Sequence, residues 1–156
     1  MGRALKAAAA KPVEPFLPYG RQLIEDDDVA AVAEALRSDF LPTGPFVSRF
    51  EAALARTVQA REAVVCANGT AALHMAARAL NLGPGTKVIV PALTFLATAN
   101  APHMNGAEIV FADVDPETGL MRPEDLLEAL KRAGSADAVF NVHLNGQCGR
   151  LEEICA

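Results

Sequence analysis

A short apolar run that turns directly into a helical pattern is the feature that most constrains this chain. Residues Ala63 to Ala67 predict a buried strand, Asn68-Gly69-Thr70 interrupts it, and an alanine-rich helical pattern follows at once. A helix that begins at such a turn presents unpaired backbone N–H groups, with the positive end of the helix dipole behind them. This arrangement binds phosphate. An ordinary turn with a helix N-cap has the same sequence signature, so both interpretations stay open here.

The rest of the chain alternates between strand and helix patterns. Strands are predicted at 63–67, 87–90, 108–112 and 138–144, and helices at 26–36, 46–58, after 68, at 94–105, from 123 and from 151. Such alternation predicts an α/β fold, with a mostly parallel sheet covered by helices on both faces. Ligands of such sheets bind at the carboxyl ends of the strands. The turn at 68–70 lies at one of these ends.

The composition and charge of the chain argue against several classes of function. The 156 residues are 51% hydrophobic and carry a net charge of −5, without a basic patch that would predict a nucleic-acid partner. No apolar stretch approaches the ~20 residues that span a bilayer. The three cysteines lack CxxC spacing, which predicts reduced thiols in the cytoplasm. The His and Cys residues do not have the spacing of zinc ligands, so the sequence predicts no metal site. Residues 1–15 are rich in Ala, Lys and Pro and predict a disordered tail.

Several short motifs occur together in one order along the chain. They include Gly20-Arg21-Gln22, Pro42-Thr43-Gly44-Pro45, Asn68-Gly69-Thr70-Ala71, Leu93-Thr94-Phe95-Leu96-Ala97-Thr98-Ala99-Asn100, Asp113-Val114-Asp115-Pro116 and His143-Leu144-Asn145-Gly146-Gln147. As a set they resemble the DegT/DnrJ/EryC1/StrS family of pyridoxal-phosphate sugar aminotransferases, from about Pro18 to the last residue. The 93–100 and 143–147 segments are most similar to the branch of the family that acts on the route to pseudaminic acid.

The resemblance implies a fold and a cofactor. It implies that 16–156 form the N-terminal part of the large domain of a fold type I aminotransferase, with the small C-terminal domain absent and a homodimer in the full-length form. The phosphate of pyridoxal 5'-phosphate would lie at Gly69, Thr70 and Ala71, and the ring of Phe95 would stack on the pyridine ring. Without the resemblance, Phe95 is more simply interpreted as a core residue after a strand.

The resemblance also implies substrates. The reaction would move an amino group, from glutamate, to C4 of a UDP-linked 4-keto-6-deoxy sugar. Thr43, Gly44 and His143 match positions near the substrate. A plain Pro/Gly loop is an alternative for Thr43 and Gly44, and a histidine that only satisfies its own loop is an alternative for His143.

The chain departs from the family in lacking two groups that the chemistry needs. Transamination requires a lysine that forms a Schiff base and a carboxylate that keeps the pyridine nitrogen protonated. In the family both lie beyond the last residue here, and Lys6, Lys11, Lys87 and Lys131 do not match the position. We therefore expect no catalytic residue and no activity from this chain alone. Two alternatives remain, a sugar dehydratase relative with histidine at the lysine position and a non-enzymatic truncated binding domain.

Overall fold

The computed structural model describes residues 20–156, so the tail predicted at 1–15 lies outside the described residues. The chain divides into two compact units, one that ends at Arg49 and one from Phe50 to Ala156. The helices are α1 (Asp26–Leu36), α2 (Pro45–Thr57), α3 (Gly69–Ala79), α4 (Ala97–Met104), α5 (Pro123–Ala133) and α6 (Leu151–Ile154), and the strands are β1 (Lys87–Pro91), β2 (Glu108–Ala112) and β3 (Ala138–Val139).

The three strands form one parallel sheet in the order β2-β1-β3. Ile89 in the central strand aligns with Val110 of β2 and with Val139 of β3. Parallel neighbours need long crossover connections, and the crossovers here contain α4 and α5. The predicted α/β architecture is therefore confirmed.

Alternate side chains of β1 build two cores, one on each face of the sheet. Val88 and Val90 are fully buried in a cluster with Ala77 of α3. Ile89, which points the other way, is fully buried with Leu126 and a further alanine of α5. A strand covered on both faces has a continuous apolar sequence rather than an alternating one. This explains why the run from residue 87 to 90 could be predicted as a strand and why helices cover both faces.

One strand prediction is wrong and a second is wrong in part. Ala63 to Ala67 form no strand among the described residues, because a strand exists only through ladder hydrogen bonds, and here the N–H of Val65 donates instead to Glu51 Oε1 at 3.1 Å. The strand predicted at 138–144 contracts to Ala138–Val139. One more ladder bond follows, from the N–H of Phe140, before the chain leaves the sheet for a 3₁₀ turn at 144–146.

Candidate functional site

The first turn of α3 has the geometry of an anion-binding helix end. Asn68 is extended, with φ −167° and ψ 170°, and its Oδ1 accepts the N–H of Ala71 at 2.9 Å. Its carbonyl accepts the N–H of Ala72 at 3.1 Å. Within residues 20–156, the N–H groups of Gly69 and Thr70 donate to no acceptor. Two helix-end donors therefore remain for a ligand, and a third, on Ala71, is held by the cap.

The space in front of this turn is open. A Cβ built on Gly69 would meet no atom within 4 Å, and Gly69 and Thr70 are exposed. The same turn carries Cys66, whose Sγ lies 3.3 Å from the carbonyl oxygen of Asn68. The helix thus begins at this turn, as predicted, but the turn follows an irregular stretch and not the predicted strand.

Phe95 lies in the loop between β1 and α4. The helix predicted from Thr94 begins only at Ala97, so Phe95 precedes it. The loop is held at its base, because Thr94 Oγ1 and Thr98 Oγ1 are 2.8 Å apart and the N–H of Thr98 donates to the carbonyl of Phe95 at 3.0 Å. Phe95 itself is 76% exposed. An aromatic ring at that exposure is not a core residue, which removes the simpler interpretation of Phe95.

The connections at the amino edge of the sheet show how α3 and α4 are oriented. A Cβ on Gly83, after α3, would lie 3.3 Å from the carbonyl oxygen of Asn105, after α4. A Cβ on Gly106 would lie 3.0 Å from Cγ of Pro84. The carboxyl ends of α3 and α4 therefore meet at this edge, where β1 and β2 begin. Their amino ends, which carry Gly69 and follow Phe95, are directed toward the opposite, carboxyl edge.

The other loops at the carboxyl edge are packed against one another. Asp115 Oδ1 accepts the N–H groups of Glu117 and Thr118 at 3.0 and 2.9 Å, which makes 113–118 the turn that the sequence predicts. A Cβ on Gly119 would lie 2.8 Å from Leu144 Cδ2 and 3.1 Å from a methyl group of Leu93. The loops after all three strands thus touch at a single glycine.

His143 begins the 3₁₀ turn that follows β3. Its residue is exposed, and its carbonyl accepts the N–H of Gly146 at 3.0 Å. No side-chain hydrogen bond of His143 occurs within the part of the chain that the structure describes. The imidazole is therefore not used to satisfy its own loop, and it is available at the same edge as Phe95.

Thr43 and Gly44 lie in the unit that ends at Arg49. Thr43 is exposed, whereas Gly44 is buried at the start of α2. A Cβ on Gly44 would collide with the carbonyl group of Phe40, so this position requires glycine for close backbone approach. Gly44 thus has a local structural role, and Thr43 is the exposed member of the pair.

Ion pairs surround a cavity of about 290 Å³ beside the Asp115 turn. Arg122 binds Asp125 in a bidentate manner at 2.9 Å, and this hydrogen bonding lowers the pKa of the Asp125 carboxyl. Arg150 donates to Glu124 at 2.7 Å and lowers the pKa of that carboxyl in the same way. Each guanidinium pairs with two carboxylates, Arg122 with Asp115 and Asp125 and Arg150 with Glu124 and Glu153. The cluster therefore attaches α6 to α5, and its excess of negative charge does not favour an anionic ligand.

Residues 20–156 offer neither a metal site nor a membrane-spanning helix, and their cysteines are unpaired. No group of three or more His, Cys, Asp or Glu side chains in this range could hold a metal ion. None of its helices is both long enough and apolar enough to cross a membrane. Cys66, Cys148 and Cys155 are all unpaired and exposed.

Comparison with known proteins gives consistent matches. The sequence model described as the DegT/DnrJ/EryC1/StrS aminotransferase family matches residues 22–156. The spore coat polysaccharide biosynthesis protein SpsC of Bacillus subtilis (strain 168) is 40% identical over 141 residues, which cover 90% of this chain and 36% of SpsC.

Solved structures are similar over the same part of the chain. The putative sugar aminotransferase Spr1654 from Streptococcus pneumoniae, in its PMP form, has a TM-score of 0.79 at 28% identity, covering 90% of this chain and 35% of that one. A DegT DnrJ EryC1 StrS aminotransferase from Brucella abortus has a TM-score of 0.74 at 35% identity, covering 81% and 35%. The chain therefore spans about a third of the length of these relatives, between 35% and 36%.

Proposed function

Because the chain belongs to the DegT/DnrJ/EryC1/StrS aminotransferase family, we propose that it forms the cofactor-binding part of a pyridoxal-phosphate-dependent sugar aminotransferase. One observation carries this proposal, the open first turn of α3 with two unpaired N–H donors. A relative named for polysaccharide biosynthesis and a structural neighbour in the PMP form support the same reaction class.

The residues of the turn fit the phosphate of the cofactor. Gly69 and Thr70 would donate their backbone N–H groups, and the Thr70 hydroxyl would add a further bond to the phosphate oxygens. Ala71 would contribute its N–H by sharing it between the Asn68 side chain and the phosphate. The open space around Gly69 admits the bulky anion.

Phe95 would hold the ring of the cofactor. An exposed aromatic ring offers a flat apolar face for stacking, and its loop is fixed by the Thr94–Thr98 hydrogen bond. When bound, the cofactor supplies an electron sink for the carbon that carries the amino group. The described part of the chain contributes binding and orientation rather than proton transfer. Lys87 is used elsewhere, since its Nζ donates to the carbonyl of Ala133 at 2.7 Å.

The substrate that we propose is a UDP-linked 4-keto-6-deoxy sugar that receives its amino group at C4 from glutamate, as in the pseudaminic acid branch of the family. His143 supports this, because an exposed imidazole at the carboxyl edge can donate to or accept from a sugar hydroxyl. By the family resemblance we also propose Thr43 and Gly44 as substrate-binding residues; the Thr43 residue is exposed, and Gly44 shapes the loop that carries it.

We further propose that residues 16–156 correspond to the N-terminal part of the large domain, and that the active protein is a cytoplasmic homodimer. Three unpaired cysteines suit a reducing compartment. Val29, Val32 and Leu36 of α1 are 59%, 60% and 66% exposed, and such an apolar face favours association. Sedimentation of the full-length form at several concentrations tests this: a dimer supports the proposal, and a monomer at every concentration contradicts it.

Calorimetric titration with pyridoxamine 5'-phosphate tests the cofactor site, because this probe has no aldehyde that could react with surface lysines. We expect Phe95→Ala to weaken binding about three- to tenfold through lost stacking. Thr70→Val should weaken it about fivefold through the lost hydroxyl bond.

Two matched variants serve as controls. Phe111→Ala removes a half-exposed ring from β2, and Thr57→Val removes a hydroxyl from α2. Both should bind the probe as the unmodified chain does. Equal losses in the test and control variants, or no binding by any of them, would contradict the proposed site.

A further inference from the structure

A hydrogen bond between His74 and Asn105 joins α3 to α4. His74 Nε2 lies 2.7 Å from Asn105 Oδ1, across 31 residues of sequence. His74 is in the middle of α3, and Asn105 caps the carboxyl end of α4. Because an amide oxygen can only accept, Nε2 carries the proton in this arrangement. The bond is partly buried, where hydrogen bonds are electrostatically stronger than in water.

The surrounding contact between these helices is made of small apolar side chains. Ala77 of α3 is fully buried, and Ala99 of α4 packs against the same cluster. Contacts between alanines are not directional, so they hold two helices together without fixing how far one slides along the other. A directional bond between His74 and Asn105 fixes that register.

The surroundings of the hydrogen bond between His74 and Asn105 raise the free-energy cost of losing it. Asn105 Nδ2 is buried and has no partner within residues 20–156. The amide of Asn105 is thus held by His74 alone, and removing His74 would leave a fully unpaired polar group between the helices. Such an amide would turn or move to reach water, and the end of α4 would move with it.

We propose that His74 and Asn105 are positioning residues that set the distance between the phosphate turn at the start of α3 and the Phe95 loop before α4. This inference rests on the proposed function, because a cofactor of fixed length needs its phosphate contacts and its ring contact at a fixed separation. Neither residue touches the cofactor. They act by holding the two helices that carry Gly69 and Phe95.

The experiment compares His74→Leu, which removes the donor, with His74→Gln, whose amide nitrogen can still donate to Asn105. The probes are pyridoxamine 5'-phosphate and pyridoxamine, which share a ring but differ in the phosphate. His74→Leu should lower the affinity for the phosphorylated probe about fivefold and leave the affinity for pyridoxamine within about twofold, whereas His74→Gln should retain both. If His74→Leu does not fold, Asn105→Ala removes the acceptor of the same bond and should give the same result.

A destabilising variant elsewhere separates positioning from stability. Glu124→Gln breaks the ion pair between α5 and α6, and it should lower the melting temperature without changing the affinity for either probe. Equal affinity losses for both probes, failure of His74→Gln to restore binding, or a similar loss in Glu124→Gln would overturn the inference.

Amide NMR of the ligand-free chain keeps this inference separate from the proposed function. His74→Leu should shift the amide signals of Gly69, Thr70 and Phe95, and His74→Gln should leave them in place. If the unmodified chain does not prefer the phosphorylated probe, the proposed function fails, and the amide shifts alone decide whether the bond sets the register. Unshifted signals in His74→Leu would refute the positioning role.

Discussion

Replacing the helix cap Asn68 by aspartate should raise the stability of the free chain and weaken phosphate binding. The Asn68 side chain accepts the N–H of Ala71 at 2.9 Å, and a carboxylate can make the same bond. Asn and Asp are about equally good N-caps. The added negative charge interacts favourably with the amino end of the helix dipole, and the same charge faces any phosphate bound at Gly69 and Thr70.

The two effects can be estimated separately. The dipole interaction contributes about 0.5 kcal/mol to the free energy of unfolding, or a rise of about 2 °C in melting temperature. A carboxylate about 6 Å from a phosphate dianion costs about 1.4 kcal/mol even in bulk water, and more near a protein surface. We therefore expect Asn68→Asp to weaken binding of pyridoxamine 5'-phosphate by at least about tenfold.

Asn68→Ala should show the opposite pattern. Loss of the cap costs about 1 kcal/mol and lowers the melting temperature by about 3 °C. It also releases the N–H of Ala71 toward the ligand, so the affinity for the phosphate should stay within about twofold. Asn81→Asp is the control, because it adds the same charge beyond the carboxyl end of α3, which is about 16 Å long. At that distance salt screens the charge from the phosphate.

The assay pairs thermal melts of the free chain with calorimetric titrations of all three variants at fixed ionic strength. The reasoning is refuted if Asn68→Asp melts higher yet binds the probe as tightly as the unmodified chain, since the phosphate then lies elsewhere. A lower melting temperature for Asn68→Asp would instead show that the cap analysis is wrong.

Three further predictions concern the scaffold. Asp125→Asn should cost about 1–2 kcal/mol at pH 7 by urea denaturation. Because the pKa of Asp125 is lowered in the folded chain, its contribution is present above about pH 4 and is lost as the pH falls further, so the variant should lose less stability on acidification. Gly119→Ala should cost at least about 2 kcal/mol, since φ is +71° and its Cβ would clash with Leu144, whereas Gly134→Ala, with φ +76° and open space, should cost about 1 kcal/mol. Ile89→Val, in a fully buried position, should cost about 1 kcal/mol by the same measurement.

Local sequence patterns predicted an element correctly where the element's own residues indicate its type and its ends. The strands β1 and β2 were predictable because, after a charged first residue, each is apolar over a length that fits one strand, and turn residues bound them. The start of α3 was predictable because Asn68 is a good cap that is followed by helix formers. At α5, Pro123 occupies the first helical turn and marks the start in the same way.

Patterns failed where the structure depends on a distant partner. The segment at 63–67 is as apolar as β1, but a strand is defined by its neighbour, and local composition does not say whether a neighbour is available. The bond between His74 and Asn105 gave no sequence signal at all, since the two residues are 31 positions apart and neither is unusual in its own helix. The exposure of Phe95 could not be predicted from the sequence either, because it depends on α4 beginning at Ala97 rather than at Thr94.

The amino and carboxyl edges of the sheet differ in structure, and this difference bears on where a cofactor could bind. The amino edge is tied by hydrogen bonds, including those from Lys87 Nζ to Ala133 and from the N–H of Lys87 to Asp137. The carboxyl edge instead exposes Phe95 and His143. Lys87 is one strand length, about 16 Å, from that edge, so it cannot reach a cofactor there. Under the proposed function, Lys87 would therefore take no part in proton transfer, and the residues at the carboxyl edge would bind and orient the cofactor.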